Sequence, residues 1–259
     1  MSIRVDPDWW KTLFDEVYLL TDARSVCDPE ITRREVDIIC RLLPIKGFHK
    51  ILDLCGGHGR HSIELSRRGF RACTLLDFSQ KLIEIARRTA RQDHLELDII
   101  WGDARHMDMP PDTYDHVIIM GNSMGYIQKE GADAQILAEA FRVLRPGGWL
   151  LMDVADGPTI RSNLKPNAWH EIGEEIIVCR QREIQGDCIC VREFVLSKTE
   201  GLIRDQAYAI RLYDQAGLSD LLKTVGFDRI HVHTDFSPHH SAGDYGFMNN
   251  RMIACSQKR

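Results

Sequence analysis

The sequence predicts an α/β protein built on one mainly parallel sheet with helices on both faces. Three observations carry this. Short apolar runs recur over residues 51–154 with helix-like segments between them, which is the strand-and-crossover pattern that buries a parallel sheet on both sides. The first run, Ile51-Leu52, passes directly into a glycine-rich turn, Asp53-Leu-Cys-Gly-Gly-His-Gly59, and a second apolar run ends on an acid, Asp77, about twenty residues later. A chain of 259 residues, 44% hydrophobic, also holds enough apolar sequence for one domain with a sizeable core.

Taken in order, Pro7-Asp8-Trp9-Trp10 is expected to open an amphipathic helix with Leu13, Phe14 and Val17 on one side. Thr32-Arg-Arg-Glu35 reads as a capping box ahead of Val36, Ile39, Cys40 and Leu43. Both helices should pack on the core. Glycines 56, 57 and 59 permit backbone geometries closed to other residues, so the turn can cradle a ligand. Residues 60–68 then form a helix that Gly69 ends. The second strand, 72–77, is followed by Ser79 as a helix cap. Strands are expected at 98–101, leading into Gly102-Asp103-Ala104, and at 116–120, leading into Gly121-Asn122-Ser123. Residues 134–144 place Leu137, Phe141 and Leu144 at helical spacing, and Arg145-Pro-Gly-Gly148 stops that helix before a fifth strand at 149–154. Three β-rich runs follow at 175–183, 188–196 and 202–212. Gln185-Gly-Asp187 and Thr199-Glu-Gly201 separate them at hairpin spacing, so a three-stranded antiparallel meander is inserted here.

Composition narrows the function classes. Net charge is -5 with scattered basic residues, which argues against a nucleic-acid groove. No long uncharged apolar segment suggests a membrane span, and acids stand where a secretion signal would be apolar, so a cytoplasmic protein is expected. The eight cysteines lack paired metal-ligand spacing, and Cys188-Ile-Cys190 reads as reduced thiols on one strand face. Histidines 231, 233, 239 and 240 crowd the segment before the last strand. No acid or cysteine completes a familiar ligand set, so no metal is expected; the loop with Pro238, Gly243 and Gly246 is read instead as a wall of the acceptor pocket, with a histidine as proton acceptor.

Asp77 stands where a ribose-binding carboxylate belongs, since one carboxylate accepts from both hydroxyls of an unphosphorylated ribose. At this point the chain resembles the class I S-adenosylmethionine-dependent methyltransferases. The loop 53–59, Asp77, Gly102-Asp103 and Leu144-Arg-Pro-Gly-Gly148 match, in order, that family's cofactor loop, ribose acid, adenine-side acid and turn before strand five. The resemblance covers residues 30–155 strongly. It implies a Rossmann-like seven-stranded methyltransferase sheet whose last strand is antiparallel, with a helix at 218–225, Gly226-Phe227, and strands at 229–234 and 248–256 completing it. One domain, 1–259, would comprise an N-terminal helical lid (1–46), a cofactor-binding core (47–155), the β meander (167–213) and the C-terminal strands (214–259).

S-adenosyl-L-methionine is the implied cofactor, with contacts at Tyr18, Asp53, Gly57, Gly59, Asp77, Phe78, Asp103, Ala104 and Asn122. The inserted meander resembles that of glycine- and amino-sugar N-methyltransferases, so a small-molecule acceptor, methylated on N or O, is expected. For a proton that must leave, the candidates are Tyr126, His170 and Tyr213, with Arg211 available to hold an acidic substrate group. The chain departs from the family at the loop, carrying Cys55 where glycine is usual and Gly56 where a small non-glycine residue is usual. His58 is placed beside the methionine portion without a catalytic role. A nicotinamide dehydrogenase is disfavoured because Ser62 stands where a third glycine belongs. The Asn-Pro-Pro-aromatic signature of nucleic-acid amino-methylating enzymes is replaced by Gly121-Asn122-Ser123-Met124. A catalytically silent regulatory or scaffold protein that binds the cofactor is the alternative, and a homodimer stays open.

Overall fold

The computed structural model describes residues 2–239 and 245–259. In chain order a 3-10 turn (Trp9–Lys11) is followed by α1 (Glu16–Thr21), α2 (Ala23–Val26), α3 (Pro29–Leu42), β1 (Lys50–Leu54), α4 (Arg60–Arg67), β2 (Ala72–Asp77), α5 (Gln80–Gln92), β3 (Asp98–Trp101) and β4 (Tyr114–Ile119). Then come α6 (Ala132–Val143), β5 (Leu144–Ala155), α7 (Gly157–Ser162), β6 (Asn167–Ile172), β7 (Ile176–Gln185), β8 (Cys188–Ser197), β9 (Gly201–Arg211), α8 (Gln215–Val225), β10 (Asp228–Phe236) and β11 (Arg251–Gln257).

The main sheet has seven strands in the order β10-β11-β5-β4-β1-β2-β3. β1 to β5 pair in parallel, while β11 runs antiparallel to both β5 and β10. Alternate residues of the central strands serve two cores: Leu52, Leu54, Val117 and Ile119 pack with α6 and α8, whereas Ile51 and Ile118 pack with Val36, Ile39 and Leu43 of the α3 region. Covering both faces is what makes the central strands nearly continuous apolar runs. The carboxyl ends of β1, β2 and β4 therefore open on one edge, where an α/β sheet binds its ligand.

The second sheet, β6-β7-β8-β9, is antiparallel throughout. Its inner face meets the N-terminal segment: Trp9, Trp10 and Leu13 are buried with Ile189, Val191, Tyr208 and Ile210.

Several expectations are corrected. The meander has four strands, because Asn167–Ile172 pairs with β7 over its whole length. Its alternation is hidden in the sequence by Trp169, which points outward and is 69% exposed. The N-terminal segment is not one helix but a single 3-10 turn followed by the short α1, which Asp15 caps by accepting from the Tyr18 N–H. Residues 32–35 are no capping box: α3 begins three residues earlier, with Pro29 in its first turn and the Asp28 carboxylate accepting from Glu30 and Ile31 N–H. The 145–148 turn lies within the bounds of β5, where a register shift against β4 accommodates it. His240 and Gly243 lie outside the described residues. His231 and His233 are exposed on β10, and His239 meets Ser25 Oγ at 2.9 Å, so none of these three lines the cleft described next.

Candidate active site

The glycine-rich turn is shaped by what it packs against. A β-carbon on Gly56 would stand 2.4 Å from Leu75 Cδ1 and 2.6 Å from Asp53 Cγ, so only glycine fits there. The chain compensates one residue earlier: Cys55 takes a left-handed backbone, φ 59°, a geometry that costs a side-chain-bearing residue about 1 kcal/mol. The exchange of Cys55 and Gly56 relative to the family thus has a steric reason at Gly56 and a strained residue at Cys55.

The turn, the end of β2, the end of β4 and the N-terminal segment enclose a cleft of about 1000 Å³, its open mouth included. Tyr18, Gly57, Asp77, Phe78, Asp103 and Ala104 line it, as do Cys55, His58, Arg60, Tyr126 and Asp133. Asp77 ends β2 and accepts from Gly57 N–H and Ser79 N–H, each at 2.7 Å. Burial pushes its carboxyl up to about 6 against the pull of these two amides. It is a carboxylate held by backbone amides at the floor of a cleft. Asp103 is different: burial works upward, but Arg105 forks onto both carboxylate oxygens and leaves the group below the usual range. The Arg105 guanidinium also lies over the Trp10 ring at 5.1 Å, tying the N-terminal segment to this acid.

Asp53, Gly59 and Asn122 do not line this cleft. Asp53 is 1% exposed behind Gly56, its carboxylate taken by the Ser62 N–H and hydroxyl, so it fixes the turn from behind. Gly59 sits at φ 77° as the cap of α4. Asn122 is buried; its N–H donates to Asp153, its side-chain oxygen accepts from Ala155 N–H, and it faces a second chamber instead. Of the three proton-accepting candidates only Tyr126 reaches the cleft. His170 is carried away on β6, and Tyr213 turns its hydroxyl to Asp133, which Arg211 also engages. Arg211 pairs with Asp133 and Asp187 and does not itself line the cleft.

The second chamber, about 540 Å³, lies between this cleft and the inner face of the second sheet. Phe14, Tyr18, Gly121 and Tyr126 line both, so the two spaces meet at these residues. Its far wall carries charge that sequence reading missed: Arg180, Glu193 and Arg204, with Asp22 from the N-terminal segment and Tyr208. Arg180 Nε donates to Glu193 Oε2 at 2.8 Å and Nη2 reaches Asp22 at 3.2 Å. The available signal was the alternation of Arg180, Glu193 and Arg204 with Val178, Val191 and Val195 on one strand face, which puts charge where an inner face should be apolar.

A buried ion cluster supports the turn from the other side. Glu35 of α3 accepts from Arg60, His61 and Arg251, and Arg251 also pairs with Asp153. Burial alone would raise the Glu35 carboxyl, but the surrounding arginines outweigh it and hold the group well below the usual range. Arg60 Nη2 is left buried without a hydrogen-bond partner and approaches the β-carbon position of Gly121. A carboxylate-bearing ligand tail fits that orphaned donor, as a ribose fits Asp77.

Residues 51–148 match the methyltransferase domain family. The chain is an S-adenosylmethionine-dependent methyltransferase. Similarity extends beyond the matched segment. The methyltransferase is 27% identical over 228 residues to the glycine/sarcosine N-methyltransferase of Parasynechococcus marenigrum (strain WH8102), covering 82% of this chain and 78% of that one. It is 28% identical over 199 residues to the YqeM protein of Bacillus subtilis (strain 168), covering 75% and 79%. In three dimensions it superposes on the CcbJ methyltransferase of Streptomyces caelestis with a TM-score of 0.76 at 16% identity, over 98% of this chain and 99% of that one. The last likeness is one of fold. Among the described residues no helix of the methyltransferase is long and apolar enough to cross a membrane.

Proposed function

We propose that this methyltransferase moves a methyl group to a nitrogen or oxygen atom of a small molecule by in-line displacement. One observation carries the reading: the cleft has two chambers that meet at Phe14, Tyr18, Gly121 and Tyr126, and the outer one is walled on one side by the second sheet and measures about 540 Å³, its open mouth included. A space of that size suits a metabolite. The likeness to a glycine/sarcosine N-methyltransferase over most of both chains supports the same class.

In this reading the inner chamber holds the cofactor. Asp77 accepts from the ribose hydroxyls, Asp103 from the adenine amine, Phe78 and Ala104 flank the base, Gly57 gives room to the tail, and Arg60 pairs with its carboxylate. The cofactor supplies a methyl group already activated by a sulfonium. What remains for the protein is to orient the acceptor and exclude water, and positioning of this kind contributes several kcal/mol, on the order of 7 or more where alignment is good.

The tyrosines at the junction do not act as bases. Burial raises the hydroxyls of Tyr18 and Tyr208, and raises that of Tyr126 far above its ordinary value with Tyr18 adding to the effect. They stay protonated near neutral pH and serve as hydrogen-bond donors and apolar walls. His58 is pushed down to about 4 by burial with Arg60 nearby, so it is neutral and uncharged beside the cofactor tail. With no strong base at the junction among the described residues, an amine that arrives in its neutral form is the favoured acceptor, and Tyr126 orients it.

The test is calorimetry with S-adenosylhomocysteine, then methyl release over a panel of small amines and alcohols. The expected result is binding, turnover on an amine, and a Tyr126→Phe variant that keeps cofactor affinity while losing about tenfold in kcat/KM, as removal of one orienting hydrogen bond would give. Binding without turnover on any small molecule would favour the silent regulatory protein.

A further inference from the structure

Resting on the small-molecule reading above, we infer that the acceptor carries a carboxylate, which the outer chamber receives at Arg204 with Arg180 beside it. Both arginines come from the inner face of the second sheet and are nine-tenths buried or more, Arg180 at 3% and Arg204 at 8% exposure. Long cations are rarely buried to this degree without full pairing. Arg180 is paired, through Glu193 and Asp22.

Arg204 is not fully paired. Its Nη2 is held by Asp15, but Nη1 makes no hydrogen bond and stands 3.8 Å from Glu193 Oε1. A buried guanidinium nitrogen left in this state is costly unless something arrives to accept from it.

The remaining polar groups of the chamber point the same way. Among the described residues the acids that line the chamber, Glu193 and Asp22, are both engaged by Arg180, with Arg204 also near Glu193, whereas Tyr208, Tyr18 and Tyr126 each carry an O–H that can donate. Among the described residues, the three O–H groups together with the orphaned Arg204 Nη1 supply donors for an anion with several acceptor oxygens. A guanidinium fork beside tyrosine hydroxyls is a carboxylate-binding arrangement. Because Tyr126 and Tyr18 also line the cofactor chamber, a molecule anchored by its carboxylate at Arg204 can extend its amine past Tyr126 toward the junction. An amino acid or other short amino-carboxylate has the required two ends.

The experiment uses the full chain loaded with S-adenosylhomocysteine. Acetate, benzoate, sarcosine and N,N-dimethylglycine are titrated beside their amides, with ethylenediamine as a purely cationic probe. Carboxylates should bind at least tenfold more tightly than the matching amides. Arg204→Gln should abolish that preference while leaving S-adenosylhomocysteine affinity within twofold, and Arg204→Lys should restore part of it. The inference is overturned if no carboxylate binds the wild-type chain, if amides or ethylenediamine bind as tightly, or if Arg204→Gln keeps the preference. Where Arg204→Gln fails to fold, the wild-type preference of carboxylate over amide decides alone. Failure here is distinct from failure of the small-molecule reading. Methyl transfer to amines with no carboxylate preference sinks only the anion site, whereas S-adenosylhomocysteine binding with no transfer to any small molecule sinks both.

Discussion

Replacing Asp77 with asparagine should make the empty protein more stable and the cofactor weaker, two effects of opposite sign from one carboxylate. The carboxyl is raised from 3.8 to about 6, chiefly by burial. A folded value above the unfolded one means that the folded state holds the proton more tightly, so stability is present in full below pH 4 and falls as pH rises through about 6. At about 1.4 kcal/mol per pH unit the interval corresponds to at most about 3 kcal/mol. Because the carboxylate opens on the cleft, solvent screens part of this. The bonds from Gly57 and Ser79 N–H to the carboxylate are already contained in that net value, so nothing further is subtracted for them. A net gain on the order of 1 kcal/mol at pH 7.5, vanishing near pH 4, is expected in denaturant melts of the ligand-free chain. Binding moves the other way. A ribose gives two hydrogen bonds to a charged acceptor, each worth roughly 1.5–3 kcal/mol, and the amide recovers one neutral bond, so S-adenosylhomocysteine should bind about 100-fold more weakly in calorimetry. Wild-type affinity should also decline as pH falls below about 6, while the variant stays flat across that window. Unchanged affinity in Asp77→Asn, or a variant less stable than wild type at both pH values, would refute the ribose assignment and the burial argument respectively.

Cys55→Gly should relieve the left-handed strain and raise stability by up to about 1 kcal/mol, offset in part by the larger backbone entropy of glycine, with cofactor affinity within a few fold; a thermal melt checks the first and calorimetry the second. Arg251→Met leaves Glu35 and Asp153 buried without that cation and should destabilise the fold by about 3–5 kcal/mol, read in urea titrations, with exchange-broadened Asn122 and Gly121 amides as the local signature. His116 is 2% exposed and its ring meets His49 at 2.9 Å; burial with His49 beside it pushes its pKa down to about 4. The unfolded chain binds that proton first, so stability should be lost as pH falls from about 6.5 toward 4, by up to about 3 kcal/mol, and the acid limb of a pH-stability profile should flatten in His116→Gln.

The parts of this molecule that were legible in the sequence are those determined by local rules. The parallel strands, the glycine turn and the helix ends at Gly69 and Gly226 follow from apolar runs and residues with restricted or unrestricted backbone. Asp77, Phe78, Asp103 and Ala104 line the cleft because a strand end projects its last residues there; the spacing after the glycines conveys Asp77, and the family resemblance conveys the other three. What was not legible depends on pairs far apart in the chain. Glu35 looks like the end of a capping box until Arg251, 216 residues away, is seen to bind it. Tyr213 and His170 have the right chemistry, but strand direction and Asp133 take them elsewhere, and nothing local records that. Asp53 is the instructive intermediate case: its position in the motif is readable, while its work, holding Ser62 behind Gly56, shows only when the turn is closed.

The two buried charge clusters explain why the cleft can be open and still defined. Neither is a strong source of stability, since desolvation offsets most of what a buried pair gains. Their value is in geometry. Glu35, Arg60, Arg251 and Asp153 join α3, α4, β11 and β5, and through the Asn122 N–H they fix the loop after β4. Arg180, Glu193, Asp22, Arg204 and Asp15 join β7, β8 and β9 to the N-terminal segment. An apolar contact could slide in either place; a network in which Glu35, Arg251 and Arg180 each bridge two or more partners on different elements cannot. The junction at Tyr18 and Tyr126 is thus held from both sides, which is the rigidity that the proposed transfer, by alignment rather than by a base, would require.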